Sequence, residues 1–153
     1  KLPQLDIPII ASDRGGNITY HAPGQIIIYP LIDTKRLNYS IHGLVERLEQ
    51  LAIDLLGSYQ LKGHLISDRR GVYIKNKKIA SIGLRFKNYC SYHGMAINID
   101  LDLKPFSYID PCGYQQEITS ISDSGVNINF QQAQDKIIKL LPKYLELTTK
   151  DKI

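Results

Sequence analysis

The sequence predicts an α+β (α/β) fold in a single domain, with a mixed, largely antiparallel sheet packed with helices. Three observations carry this prediction. The chain has 153 residues, enough for one core that buries about 70% of the surface an unfolded chain exposes. Two segments repeat apolar residues at the 3.6-residue spacing of a helix. The stretches around them are short β-branched runs punctuated by Gly, Asn and Lys turns.

Taken in order, Ile9-Ile10-Ala11 after Pro8 reads as a short strand that ends in a tight turn at Asp13-Arg14-Gly15-Gly16. Ile26 to Ile32 is a continuous apolar run typical of a strand covered on both faces, and Pro30 within it argues for an edge position. From Ile41, the residues Leu44, Val45, Leu48, Leu51, Ala52, Leu55 and Leu56 form one helical stripe, with Glu46, Arg47, Glu49 and Gln50 on the opposite face. That helix ends near Gly57, whose freedom at positive φ suits a C-terminal cap, and its stripe suits core packing.

Val72-Tyr73-Ile74, the Lys75-Asn76-Lys77 turn, Ile79 to Phe86 and Tyr92 to Ile99 read as two or three antiparallel strands. Gly83 and Gly94 interrupt them where a bulge or a close backbone approach is expected. Asn129 with Gln132 forms a helix start, Phe130, Ala133, Ile137, Leu140 and Leu141 continue an apolar face, and Pro142 is expected to break that helix or start another turn. Lys150-Asp151-Lys152 reads as a frayed end.

The composition excludes several classes. With 43% hydrophobic and 22% charged residues, the chain is neither collagenous, coiled-coil nor disordered. A net charge of +4 favours acidic partners, but no K/R-rich stripe or RNP-like motif points to nucleic acid. Two cysteines, Cys90 and Cys112, are too few for a disulfide scaffold, although one bridge between them is compatible with the sequence. A reducing, cytoplasmic location is the expectation. No apolar stretch reaches the length of a membrane span, and the start carries no signal-peptide pattern.

Three segments concentrate residues that packing alone does not demand. Arg14-Gly15-Gly16-Asn17-Ile18-Thr19-Tyr20-His21 pairs backbone-freeing glycines with a cation and an imidazole; a glycine-rich turn with a surface histidine explains it equally well. It lacks the GxxxxGK[ST] pattern of a phosphate loop. Lys78 in Lys78-Ile79-Ala80-Ser81-Ile82-Gly83 leads into an apolar strand where desolvation would suit it to proton transfer, though alone it reads as a solvated lysine. Tyr92-His93-Gly94-Met95-Ala96-Ile97-Asn98 precedes Ile109-Asp110-Pro111-Cys112-Gly113. A cysteine between Pro and Gly belongs on a turn with a reachable sulfur, which makes Cys112 the candidate nucleophile. Cys90 reads as incidental, in a connecting turn beside Asn88 and Tyr89. No metal site is expected, since neither C-x-x-C nor H-E-x-x-H spacing occurs.

Together these segments resemble the lipoyl(octanoyl) transferase family, octanoyl-[acyl-carrier-protein]:protein N-octanoyltransferases related in fold to lipoate-protein and biotin protein ligases. The resemblance rests on Arg14-Gly15-Gly16-x-x-Thr19-Tyr20-His21-x-Pro23-Gly24-Gln25, Gly71-Val72-Tyr73, Lys78 to Gly83, Tyr92-His93-Gly94-x-Ala96-x-Asn98 and Pro111-Cys112-Gly113. It implies that residues 1–153 are a single acyltransferase catalytic domain, a biotin/lipoate ligase-like catalytic domain without the family's N-terminal portion. Reduced or absent activity and an exposed sheet edge are the corresponding expectations.

The resemblance further implies transfer of an octanoyl group from octanoyl-acyl carrier protein to a lysine of a lipoyl domain. The acceptor is a dehydrogenase complex or the glycine-cleavage carrier protein. In this scheme Cys112 is the nucleophile and Lys78 its partner base, because a nearby ammonium stabilises a thiolate and a neutral lysine can accept a proton. Arg14 to His21, Ser81-Ile82-Gly83 and Gly94-Met95-Ala96 correspond to the acyl-binding segments, with His93 in support. A slot of glycines and small apolar residues leaves room for an eight-carbon chain, each buried methylene contributing about 0.8 kcal/mol. No cofactor, metal, nucleic acid or membrane is implied, and a monomer is expected. Ala22 departs from the family pattern, which has glycine there, and is tolerated if its φ is negative. The competing functions are an ATP-dependent lipoate-protein ligase, which needs no cysteine, and a non-catalytic carrier-protein-binding module. Pro111-Cys112-Gly113 favours the transferase.

Overall fold

The computed structural model describes residues 7–109 and 116–146. Five antiparallel strands form one sheet in the order β1-β5-β4-β3-β2. They are β1 (Gln25–Ile28), β2 (Gly63–Ile66), β3 (Arg69–Ile74), β4 (Lys77–Lys87) and β5 (Cys90–Asn98); the helices are α1 (Ile41–Gly57) and α2 (Phe130–Leu145). Side chains alternate across a sheet, so the cross-strand row Ile26, Ile97 and Ala80 faces one way while Ile27, Ala96 and Ser81 face the other. The first row is buried against the α1 stripe of Leu44, Leu48, Leu51, Ala52, Leu55 and Leu56 in a shared core. The second row is left free to line a cleft.

The α1 helix starts where Ser40 accepts a hydrogen bond from Gly43 N at 2.9 Å, satisfying one of the unpaired amides of the first turn. It does not stop on a left-handed Gly57. The left-handed residue is Gln60, with a φ of 60°; Gln60 N donates to the Gly57 carbonyl and Leu61 N to the Leu56 carbonyl, the paired bonds of a Schellman ending. Glu49, expected on the solvent face, is only 4% exposed. Its carboxylate accepts from Gly71 N at 3.2 Å, because the φ of +110° at Gly71 turns that amide toward α1. Glu49→Ala leaves the Gly71 amide without this acceptor, and a loss of about 1–3 kcal/mol in urea unfolding is expected.

Elsewhere the local rules yield to tertiary contacts. Ile9 and Ile10 are 57% and 80% exposed and belong to no strand; the described sheet offers no partner at that edge beyond β1. The β1 strand is an edge strand as Pro30 required, but only four residues long, and Ile27 and Leu31 are exposed, so it is not covered on both faces. Cys90 opens β5 rather than lying in the turn, which Asn88 and Tyr89 make at φ values of 51° and 66°. The β2 strand was not predictable from Gly63-His64-Leu65-Ile66, which carries no alternating pattern. Pro142 lies inside α2. It lacks the amide that would reach the Ile138 carbonyl, and Ile138 is 55% exposed, so water can satisfy that carbonyl and the helix continues. The frayed end expected at Lys150 to Lys152 lies outside the described residues.

Continuation of α2 brings Lys143 and Tyr144 onto Asp54 of α1. Lys143 Nζ lies 2.7 Å from Asp54 Oδ2, and the Tyr144 hydroxyl donates to the same oxygen. The lysine first and the hydroxyl second hold the Asp54 carboxyl below the usual carboxylate range. A depressed folded-state pKa stabilises the fold above the unfolded value of about 3.9 and loses that contribution as pH falls through the lower folded value. Asp54→Asn is therefore expected to cost about 1–2 kcal/mol at neutral pH, with the difference from the parent shrinking as urea unfolding is repeated at progressively lower pH.

Candidate active site

Two strands and one loop build the cleft. β4 and β5 pair Ser81 with Ala96, Ile82 with Met95 and Gly83 with Gly94, so two segments far apart in sequence become one patch. The loop from Arg14 crosses it, held by Gly15 N donating to the Leu84 carbonyl at 3.2 Å. Gly83 permits that crossing, because a Cβ there would meet the Gly15 carbonyl oxygen at 2.7 Å. At Gly94 a Cβ would overlap the Ile28 carbonyl oxygen and crowd Pro30. Both glycines thus serve close approach of the protein to itself.

The cleft has a volume of about 320 Å³ and gathers Arg14, Gly15, Gly16, Asn17, Ile18, Thr19, His21, Lys78, Ser81, Ile82, Gly83, His93, Gly94, Met95 and Ala96. That volume is at the lower end of small-molecule sites. Tyr20 points elsewhere, its ring edge-to-face with Phe106 at 5.3 Å. Ile27, Tyr29, Asp68, Arg69 and Arg70 also line the cleft and were not anticipated; the Asp68-Arg69-Arg70 run before Gly71 was the available signal. Cys112, with Asp110, Pro111 and Gly113, lies outside the described residues. Ala22 does not have a positive φ, so alanine fits there without strain.

Lys78 is buried, 9% exposed. Its amide donates to the Glu117 carbonyl at 2.8 Å and its carbonyl accepts from Thr119 N at 2.9 Å, which fixes the backbone on both sides. The β3–β4 register shifts between Val72 and Tyr73, which pair with Ala80 and Lys78, so Ile79 is an extra residue. Such a bulge re-aims the neighbouring side chain. Lys78 Nζ lies 5.5 Å from the centre of the Tyr73 ring, and its Cε would make an ordinary contact, 3.4 Å, with a Cβ on Gly71. Gly71 is required by its backbone instead, since a Cβ there would overlap the Ala80 carbonyl oxygen of β4.

His93 has a left-handed φ of 58° inside β5, a conformation that costs about 1–3 kcal/mol and needs support. Asp13 supplies it, accepting from His93 Nε2 at 2.9 Å and from the Tyr92 hydroxyl at 2.7 Å. These bonds, His93 first, hold the Asp13 carboxyl below its ordinary value. Among the described residues, no group of three His, Cys, Asp or Glu side chains is placed to hold a metal ion. No helix among them is long and apolar enough to cross a membrane.

The sheet, its one-sided helices and the cleft on the opposite face give the fold of biotin and lipoate protein ligase catalytic domains. Solved structures share this fold: a lipoate-protein ligase A bound with ATP has a TM-score of 0.66 at 14% identity, covering 88% of this chain and 57% of its own. The biotin protein ligase of Aquifex aeolicus has a TM-score of 0.62 at 15% identity, covering 80% and 53%. The chain belongs to the lipoyl protein ligase A/B catalytic domain family, which it matches over residues 1–141, and within it to the octanoyltransferases. The octanoyltransferase of Chromobacterium violaceum is 45% identical over 145 residues, 94% of this chain and 70% of that protein. That of Vesicomyosocius okutanii is 46% identical over 94% of this chain and 72% of the relative, and that of Shewanella pealeana 43% identical over 93% and 65%. The chain thus spans about two thirds to three quarters of these relatives' length.

Proposed function

We propose that the chain catalyses transfer of an octanoyl group from octanoyl-acyl carrier protein to a lysine of a lipoyl domain, through a thioester on Cys112. The observation that supports this best is a buried Lys78 on the wall of a cleft whose other lining includes Ile18, Ile27 and Ala96, in a chain with octanoyltransferase relatives. An eight-carbon tail suits the apolar lining, at about 0.8 kcal/mol per buried methylene. The cations Arg14, Arg69 and Arg70 on the same lining suit an acidic carrier.

In the first half, Cys112 passes its thiol proton to Lys78 and the thiolate attacks the donor's thioester carbon. The carbon–sulfur bond to the carrier breaks, and the departing thiolate recovers the proton from Lys78. In the second half, the neutral amine of the acceptor lysine attacks the Cys112 thioester. An amide forms, the bond to Cys112 sulfur breaks, and the amine's proton returns to that sulfur through Lys78. One thioester exchanges for another at little thermodynamic cost, so the scheme needs no nucleotide and no cofactor. The protein acts as a cytoplasmic monomer on lipoyl domains of dehydrogenase complexes or on the glycine-cleavage carrier protein.

Incubating the chain with octanoyl-acyl carrier protein and a lipoyl domain, without ATP, tests the reading by mass spectrometry of the lipoyl domain. Gain of one octanoyl group is the expected result. Modification seen only with free octanoate and ATP would instead identify a ligase.

A further inference from the structure

Four hydrogen bonds in succession join one wall of the cleft to Lys78. His21 Nδ1 lies 3.1 Å from Gln25 Oε1, and Gln25 Nε2 donates to Asn98 Oδ1 at 2.9 Å. Asn98 Nδ2 donates to the Thr119 carbonyl at 2.9 Å, and Thr119 N donates to the Lys78 carbonyl at 2.9 Å. Gln25 and Asn98 are direct cross-strand partners on β1 and β5 and are 9% and 5% exposed. The Gln25–Asn98 bond is therefore internal to the sheet, away from competing water.

Backbone groups fix the direction of each bond. The Ala22 amide can only donate, and it lies 3.3 Å from Gln25 Oε1; the Tyr20 carbonyl can only accept, and it lies 3.3 Å from Gln25 Nε2. The carboxamide therefore has one orientation, with its oxygen toward His21. An oxygen acceptor requires the hydrogen on His21 Nδ1, and a neutral imidazole carries only one. Nε2 is then left bare, on an exposed ring that lines the cleft.

We propose, resting on the octanoyltransferase reading, that Gln25 is a positioning residue that locks His21 with its hydrogen on Nδ1, so that Nε2 accepts a hydrogen bond from the attacking substrate amine. The bond is made by one of the amine's two N–H groups and orients the nitrogen lone pair toward the acyl carbon; no proton is transferred to His21. Asn98 holds Gln25 with its oxygen and the Thr119 segment beside Lys78 with its nitrogen. One side-chain pair thus sets both the orienting group and the base.

Long-range proton–nitrogen-15 correlation at alkaline pH, where imidazoles are neutral, reads the tautomer directly. His21→Asn assigns the signal among the four histidines. The expected pattern is a protonated Nδ1 and an unprotonated Nε2 at His21, kept in Gln25→Glu and lost to a mixture in Gln25→Met. A protonated Nε2 in the parent chain overturns the lock and requires no variant to fold. Kinetically, Gln25→Met should slow transfer from the acyl-enzyme to the lipoyl domain about tenfold while acylation by the donor slows less than about threefold. Equal slowing of the two halves overturns the amine-acceptor role. If the parent chain forms no octanoyl-lysine at all, the transferase reading and that role fall together, whereas the Gln25 lock is still decided by the tautomer.

Discussion

Lys78→Met is expected to lower octanoyl transfer by about 10²–10⁴-fold while leaving the fold intact. The two expectations have separate physical origins. The stem of Lys78 is buried beside Gly71, and methionine has the length and flexibility to take its place. It cannot hold or release a proton. In the proposed cycle Lys78 moves a proton in both halves, so acylation of the enzyme and aminolysis should both slow. Steady-state transfer assays with thermal unfolding alongside check this; a variant that unfolds early would contradict the packing expectation, and a folded one that retains most of the activity would remove Lys78 from the chemistry.

Gly94→Ala is expected to destabilise the protein by about 3 kcal/mol, a drop in Tm of about 6–12 °C for a chain of this size. The added Cβ overlaps the Ile28 carbonyl oxygen, so β1 must separate from β5 where Ile28 pairs with Met95. His93, already at a positive φ, has no freedom to absorb the shift. Separation also moves Ile27 away from Ala96, two residues of the cleft wall, so acyl uptake should weaken along with stability. Gly57→Ala gives the opposite sign. A Cβ there meets nothing within 4 Å, and replacing a helical glycine is expected to add about 0.5–1 kcal/mol. Differential scanning calorimetry of the two variants reads both effects.

These glycines show what the amino-acid order makes legible and what it does not. Glycine within a strand signals close approach, but whether the neighbour is a ligand or the chain's own backbone depends on which strand lies alongside. The α1 stripe, the Lys75-Asn76 hairpin and the Asn129 helix start could be read locally, since each depends on residues within a turn or two of one another. The Arg14, Lys78 and His93 segments were separately suggestive, and β4–β5 pairing is what turns them into one cleft. Glu49 defeats the helical pattern because its partner, the Gly71 amide, is supplied by a strand far along the chain. Tyr29 gave no local cue for the same reason, and the Asp68-Arg69-Arg70 run signalled charge without position: their place on the cleft follows from sheet order. Pro142 sits mid-helix because the following turn gains Tyr144 and Leu145 in the core, a benefit that local propensity does not include.

The central claim is a covalent octanoyl-enzyme on Cys112, and intact mass of the chain after brief incubation with octanoyl-acyl carrier protein tests it most directly. The account predicts a gain of one octanoyl group, located on Cys112 by peptide mapping, absent in Cys112→Ser and discharged when a lipoyl domain is added. Octanoyl transfer to the lipoyl domain that survives in Cys112→Ser, with no adduct on the parent chain at any time, would contradict it.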